Sequence, residues 1–428
     1  MSRIGMHGNR SLYMPGIDEV HYMTAEDAAK VLRVKKQTLY AYVSRGWIRR
    51  QRQGDDGPVM YLREDVERMG SRSRARAEGG PSKGGSHQPH WSEPIIQTAI
   101  TEITPRGPIY RGFAAVDLAA GGERFENLAE MLWTGVRSEE PESWPPESLP
   151  VLAAHLFREL GGSMEPIQYF GVAVSLLAAA GDLRHDTRHG TTIADARAAL
   201  SLFAGCLGYL GPEAGFVMGR EGETLAAHLL RAVGAQANPV RERALNAALV
   251  LLADHHLTPQ AVAVRLAASS GASLPHCLNA ALSVHSNSRS RRVYRRIEDL
   301  LLEAPDEAGF LARIEESLRS SGRAPGFFHR MYPQGDPRVA PLLSLAAGAQ
   351  PTRGRRPDWI GYLAAVRART GMAPTAEAAL TVLCHGLGLP RRSPGAIYAL
   401  ARTAGWIAHA IEQRMAGVML RPRARYLG

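Results

Sequence analysis

Gly326-Phe327-Phe328-His329-Arg330-Met331-Tyr332-Pro333-Gln334-Gly335-Asp336-Pro337-Arg338 is the stretch on which the reading of this chain turns. It sets a histidine and an arginine nine residues apart around a Pro/Gly turn, a layout that converges an imidazole and a guanidinium on one small acid. On either side, Ala-rich apolar stretches recur at Pro166–Gly181, Ile193–Leu207, Arg241–Asp254 and Gly395–Met415. Each offers apolar residues at i, i+3, i+4 and i+7, and several are apolar on most faces, as helices inside a large helical core are. Alternating Val/Ile/Thr runs are nearly absent, so the expected fold class is mainly α.

The chain has 428 residues, 51 Lys+Arg against 41 Asp+Glu, with 45% apolar and 21% charged residues. That length predicts two or three domains, and that balance excludes a disordered polyelectrolyte. The longest clean apolar run, Ala244–Ala253 broken by Asn246, falls short of the roughly 20 residues of a membrane span. Met1–Asp18 is polar and Gly-rich with no leader pattern, so the expectation is a cytoplasmic protein with no membrane partner. Cys206, Cys277 and Cys384 are scattered and odd in number, which argues for reduced thiols rather than a disulfide framework or a Cys-built zinc site. His255-His256 does not make a metal site either, because adjacent helical residues point apart. No metal is expected.

Charge divides the chain. Residues 1–90 hold 16 Lys+Arg and 10 Asp+Glu, a net of +6, and leave a net of +4 for residues 91–428. Residues 70–92, rich in Gly, Ser, Pro and Arg, read as a flexible linker between a small basic unit at 20–69 and a body at 93–428. In Tyr22–Arg50, Thr24 caps a first helix with Asp27 three residues on, and Ala28, Val31 and Leu32 give it an apolar stripe. Lys35–Ser44 forms a second helix with Leu39, Tyr42 and Val43 inward. Lys35, Lys36, Gln37, Thr38 and Arg45 stay outward, where donors reach phosphates and base edges of double-stranded DNA. Gly54-Asp55-Asp56-Gly57-Pro58 before Val59-Met60-Tyr61 predicts a wing, and Arg63–Met69 a third helix. The run T-A-x-x-A-A-x-x-L-x-V, T-L-Y-x-Y-V-x-x-G-x-I and Y-L-R-x-D-V resembles the MerR-like and excisionase-like winged helix-turn-helix.

The body resembles citrate synthase. Its signature G-[FY]-G-H-x-x-[YL]-x-x-x-D-P-R matches Gly326–Arg338, with Phe328 in place of the second glycine. Further matches are Tyr110-Arg111-Gly112 with Val116–Ala119 and Phe125–Ala129; Leu252-Ala253-Asp254-His255; and Ala401–His409 leading to Arg421-Pro422-Arg423-Ala424. The resemblance spans almost all of residues 95–428. It implies a helical dimer with a large domain and a small lid domain, here approximately 262–375, that condenses a short acyl-CoA with an oxo acid through an enol or enolate of the thioester. It implies no cofactor beyond acyl-CoA as co-substrate, oxaloacetate as the default acid, and a homodimer.

By that resemblance, Arg338, Arg402 and Arg421 bind the oxo-acid carboxylates, His329 grips and protonates the ketone, and His255 contacts the acid from the large domain. Such roles suit the residue types, since forked guanidiniums orient carboxylates and a weakly acidic α-proton needs a carboxylate base held close. Glu377 stands where the family carries that base as Asp. Where the family carries G-P-L-H-G-G-A, this chain has Ser283–Arg292, and the enol-stabilising position falls on His285, Ser286 or Asn287, with His285 the best chemical match. Arg289, Arg291 and Arg292 in the same region, with Arg295 and Arg296, offer donors to the phosphates of a CoA-like ligand or form a solvated helix face. Two readings follow: an acyltransferase with a DNA-binding appendage, and a transcriptional regulator whose degenerate body senses a di- or tricarboxylate or an acyl-CoA.

Overall fold

The computed structural model describes residues 22–32, 34–44, 48, 50–52, 58–63, 65–66, 96–149, 151–160, 164–182, 189–286, 289–349 and 357–421. The polypeptide forms two compact units, Met1–Glu93 and Pro94–Gly428. The linker expected at 70–92 lies outside the described residues.

In the first unit, the Thr24 hydroxyl accepts from the Asp27 N–H (3.2 Å) and donates to the Asp27 carboxylate (2.7 Å), starting helix Ala25–Leu32 as its sequence requires. Helix Lys36–Ser44 follows. Strands Arg50–Arg52 and Val59–Leu62 pair antiparallel, Arg50 opposite Tyr61 and Arg52 opposite Val59, and form the expected wing. Tyr22–Met23 adds a third strand on the other side of Val59–Leu62; two residues are too few to show an alternation in sequence. Met23, Ala28, Leu32, Leu39, Ile48, Tyr61 and Val66 close one small core. Of the third helix expected at Arg63–Met69, residues 63, 65 and 66 are helical and the remainder lie outside the described residues.

The second unit opens with an antiparallel meander, Thr101–Thr104, Gly107–Tyr110 and Phe113–Ala114, and is helical thereafter. The apolar stretches become helices Pro166–Asp182, His189–Cys206, Pro239–Leu252 and Ser393–Ala416. Helix Pro239–Leu252 starts two residues earlier than apolar spacing suggests because the Asn238 side chain caps it, accepting from the Arg241 N–H at 2.9 Å with Pro239 in the first turn. Thr192–Leu210 is long and apolar enough to cross a membrane by composition, yet Ala196, Ala199, Leu200, Phe203 and Cys206 along it are buried in the core. Cys206, Cys277 and Cys384 are free and buried.

Ser393–Ala416 is the axis of this unit. It packs against helices Phe125–Thr134, Pro239–Leu252, Pro259–Ser269, Leu274–Ser286 and Ala376–Gly386, and Ser393 through Ile411 are buried except for Tyr398, which is half-buried. A helix surrounded in this way is apolar all round, so the polar residues it does carry stand out. The expected lid limits fall at 262, inside helix Pro259–Ser269, and at Thr375, the N-cap of helix Ala376–Gly386.

Candidate active site

Three segments converge. The first is the loop of the opening motif, in which Phe328 N–H donates to the Ala373 carbonyl (2.9 Å), Thr375 N–H donates to the Gly326 carbonyl (2.8 Å), and Phe327 pairs with Pro374. This short antiparallel contact brings the His329 loop alongside the N-terminus of helix Ala376–Gly386, whose first turn carries Glu377. Gly326 is required there: its φ is +83°, and a Cβ would lie 3.1 Å from both Ala378 and Ile297.

Phe328 is the departure from the motif with a visible backbone consequence. Its φ is +65°, the left-handed region that glycine occupies without penalty, and its side chain is 58% exposed. An aromatic residue therefore holds a glycine conformation without compensating burial. Phe328→Gly is expected to stabilise the protein by about 1 kcal/mol, read as a rise in the urea midpoint at unchanged slope; an unchanged or lower midpoint would count against strain at this residue.

Within the loop, Met331 N–H donates to His329 Nδ1 (3.2 Å), so the neutral ring carries its proton on Nε2. Burial lowers the His329 pKa, Glu377 opposes that shift and Arg338 reinforces it. Asp336 accepts from Arg338 Nε (3.0 Å) and Nη2 (2.6 Å), and from its backbone N–H (3.0 Å). Both side chains are buried. Burial alone would raise the Asp336 carboxyl, and the Arg338 charge and hydrogen bonds outweigh it and hold it below the usual range. One edge of the Arg338 fork is thus taken by Asp336, which aims the guanidinium rigidly.

The second segment is the turn after helix Pro239–Leu252. Asp254 Oδ2 accepts from the His256 N–H (3.0 Å), and His256 takes the left-handed conformation at φ +60°. The buried Tyr110 hydroxyl bonds the backbone of Leu251 and Asp254, pinning the turn from the meander. This corner presents His255 edge-on to His329 and Tyr332, with ring centres 5.5 and 5.8 Å away. Burial first, then the Arg338 and Arg402 charges, keep the His255 pKa far below its ordinary value, so the ring is neutral. Burial pushes Tyr332 up to about 12, so its hydroxyl stays a donor.

The third segment is the axial helix, which contributes Arg402. Its guanidinium is 1% exposed, neither Nη1 nor Nη2 makes a hydrogen bond among the described residues, and Nη2 stands 3.6 Å from Asp254 Oδ1. Burial by itself would raise the Asp254 carboxyl; His409 and Arg402 outweigh it and hold it far below the ordinary value. His255 Nε2 and the Tyr332 hydroxyl are likewise buried and unbonded. An unbonded buried donor costs free energy, about 1–3 kcal/mol and more when charged. The unbonded Arg402 guanidinium and Tyr332 hydroxyl are donors, the His255 Nε2 is a donor or an acceptor according to its tautomer, and buried groups of this kind suit an acceptor-rich anion.

His255, His329, Arg338, Arg402 and Glu377 therefore meet. His285 does not join their first layer: it is 0% exposed, stacks on Tyr398 at 5.8 Å, leans on Trp406 at 6.0 Å, and its Nδ1 faces Gln260. The Arg402 guanidinium also lies over the Tyr398 ring, 6.0 Å from its centre. Ser286 is half-buried at the end of that helix, and Asn287 lies outside the described residues. Arg421 is exposed near the end of the described chain. Arg292 is exposed, and the side chains of Arg289 and Arg291 lie outside the described residues. Arg295 pairs with Glu165 and Arg296 donates to Ser317, so that part of the Arg run serves the fold. Sequence reasoning missed Asp254, Asp336, Tyr332 and His409 as participants, although Asp254, Asp336 and His409 stand inside the matching motifs.

In the first unit, Lys35, Lys36 and Gln37 are exposed and Thr38 is half-buried, while Arg45 lies outside the described residues. Lys36 is 3.9 Å from Glu26, an exposed pair of little energetic weight. Tyr40, 51% exposed, shares this helix. Its outward position follows from Leu39, Tyr42 and Val43 pointing inward.

The family described as citrate synthase, C-terminal domain, matches residues 90–423, and the family described as helix-turn-helix domain matches residues 22–69. A citrate synthase of Mycolicibacterium smegmatis is 25% identical over 371 residues, covering 78% of this chain and 93% of that protein. A 2-methylcitrate synthase of Corynebacterium glutamicum is 24% identical over 358 residues, covering 77% and 92%. The ternary complex of carboxymethyl coenzyme A and oxaloacetate with citrate synthase from Thermoplasma acidophilum superimposes with a TM-score of 0.67 at 20% identity, covering 78% of this chain and 94% of that one.

Proposed function

This chain belongs to the citrate synthase family and carries a helix-turn-helix domain ahead of it, and from that premise we propose that its body condenses a short acyl-CoA with an oxo dicarboxylate to give a tricarboxylate and CoA. Acetyl-CoA and oxaloacetate are the default pair. The observation that carries this reading is Arg402: a fully buried guanidinium with both η nitrogens unbonded, close enough to act electrostatically on His255, whose ring packs with those of His329 and Tyr332. A carboxylate supplies the bidentate acceptor that fork lacks. Arg338, aimed by Asp336, faces the same acid, Arg421 contributes a third guanidinium from the C-terminal end, and the 262–375 segment closes as a lid.

The chemistry follows from placement. The Glu377 carboxylate removes the α-proton of the thioester, and the resulting enolate carbon forms a bond to the ketone carbon. The ketone oxygen gains charge and is met by the Nε2–H of His329. Water then cleaves the thioester and releases the CoA thiol. Glu377 is half-buried in the first helical turn and close enough to His329 and Arg338 to act on both electrostatically.

One observation favours a second reading. His285 is fully buried against Tyr398 and Trp406, so the histidine offered for the thioester oxygen is packed into the core, while the carboxylate half keeps its buried guanidiniums. A body that binds a di- or tricarboxylate without turnover would be a metabolite sensor for the helix-turn-helix domain. Thiol release with acetyl-CoA or propionyl-CoA and oxaloacetate separates the two. The enzyme reading expects release that falls at least a hundredfold in Glu377→Gln, on the scale of a lost or misplaced catalytic group. No release above that variant, with oxaloacetate still raising thermal stability, would leave the sensor.

The first unit is proposed to bind double-stranded DNA through Lys35, Lys36, Gln37, Thr38 and Arg45, in a homodimer whose two-fold axis matches a two-fold operator. Removing two phosphate contacts with Lys35→Ala/Lys36→Ala is expected to reduce the slope of log K against log salt by about 2 in magnitude. An unchanged slope would remove these side chains from the interface.

A further inference from the structure

The axial helix carries a second set of buried polar groups that the reaction does not use. Arg402, Gly405, His409 and Gln413 recur at intervals of three and four and therefore share one stripe of that helix, with Glu412 beside them. Facing them is Arg265 of helix Pro259–Ser269, 1% exposed. Arg265 Nε donates to His409 Nδ1 (3.0 Å), Nη1 to Gln413 Oε1 (3.4 Å), and Nη2 to both Glu412 and the Thr98 hydroxyl (3.1 Å to Thr98). The other Glu412 oxygen accepts from the Ala99 N–H (2.8 Å).

The direction of one bond has a consequence for the site. An arginine only donates, so His409 Nδ1 must accept and the ring proton must sit on Nε2. His409 Nε2 lies 3.5 Å from Asp254 Oδ1 and the same oxygen lies 3.6 Å from Arg402 Nη2, and none of the three atoms makes a hydrogen bond among the described residues. The carboxylate is thus shared between an imidazole and a guanidinium, closing fully on neither. With the opposite tautomer, a lone pair would face Asp254 and drive it onto Arg402, occupying the donors that a ligand needs.

We propose that Arg265 and His409 are positioning residues for Arg402: Arg265 selects the Nε2–H tautomer of His409, His409 holds Asp254 back, and both η nitrogens of Arg402 stay open to a carboxylate ligand. This rests on the carboxylate-binding reading above. The cost of a buried ion pair is high unless its partners are satisfied, and here Glu412, Thr98 and Gln413 take three of the four remaining Arg265 N–H donors, leaving its ε N–H to the histidine.

Amide substitutions at 409 separate positioning from packing. Glutamine places its N–H₂ near the position of Nε2–H, whereas asparagine occupies only the Nδ1 side. In the full-length protein, titrated with oxaloacetate by calorimetry, His409→Gln is expected to bind within about threefold of the parent and His409→Asn about tenfold more weakly, a difference on the order of one charge-assisted hydrogen bond. Equal weakening by both, or by neither, overturns the proposal. The tautomer is read without ligand from the side-chain ¹⁵N shifts of histidine-labelled protein, with His409 assigned by the loss of its signals in His409→Asn. The parent must show protonated Nε2 and bare Nδ1, and Arg265→Met must lose that preference; a protonated Nδ1 in the parent overturns the proposal. Should the parent bind no oxaloacetate, the carboxylate reading fails on its own, and the ¹⁵N shifts still decide whether Arg265 sets the ring.

Discussion

Arg402→Met is expected to eliminate stabilisation by oxaloacetate and, at the same time, to cost the unliganded protein about 3 kcal/mol. The first effect follows from the two unbonded η nitrogens of Arg402, which no other residue of the site duplicates from the axial helix. A ligand at a hundred times its dissociation constant stabilises its host by about 2.7 kcal/mol, and that increment should vanish. The second follows from Asp254, a fully buried carboxylate that would be left facing only the His409 ring, 3.5 Å away. Stranding one member of a buried pair costs on the order of 3–5 kcal/mol, whereas neutralising both costs little. The double variant Arg402→Met/Asp254→Asn should therefore regain most of the lost stability while remaining insensitive to oxaloacetate. Thermal and urea denaturation with and without oxaloacetate test both effects; ligand stabilisation that survives in the single variant would place the carboxylate elsewhere.

Gly405→Ala should destabilise by about 3 kcal/mol, against the usual sign for an alanine placed inside a helix. A Cβ at Gly405 would lie 2.6 Å from the Ala253 carbonyl oxygen and 2.7 Å from Asp254 Cβ, and would also strike Asp254 Oδ1. Two of those neighbours belong to the backbone or are rigidly attached to it, and the Gly405 N–H itself donates to Ala253 (3.1 Å). Relief requires moving the axial helix away from the Asp254 turn, which breaks packing on several sides. The same substitution at Gly171, in helix Pro166–Asp182 with nothing within 4 Å of the added methyl, is the control. There, helix propensity decides, and a gain of about 0.5–1 kcal/mol is expected. Equal urea midpoints for the two variants would contradict the close approach at Gly405.

Much of this molecule is legible from residue patterns because its helices are long and its caps are local. Thr24 with Asp27 starts its helix through a contact three residues apart, whereas the Asn238 cap on Arg241, equally local, escapes apolar spacing, which begins only at Arg241. The Gly326–Arg338 motif is legible for a related reason, since the turn, the Asp336–Arg338 pair and the His329–Met331 bond are all made within one loop. The short strands Tyr22–Met23 and Thr101–Thr104 are not legible, because their pairing partners, not their own composition, make them strands.

The candidate site divides along the same line. His329, Arg338, His255 and Arg402 are identifiable as residues from their motifs, and Phe328 declares itself as a departure at a glycine position. What no spacing reveals is the state in which they meet. His285 and His255 look equally apt as isolated histidines, yet one is fully buried against Tyr398 and the other stands edge-on to His329. Arg338 and Arg402 look equally apt as guanidiniums, yet Asp336 occupies one fork while the other is left open. Residue type and local order suffice for helices, turns and the family, since those depend on neighbours a few positions away. Burial, tautomer and the division of each carboxylate among its donors depend on groups more than a hundred residues apart, as between Asp254 and Arg402 or Arg265 and His409, and exist only once the helices have packed.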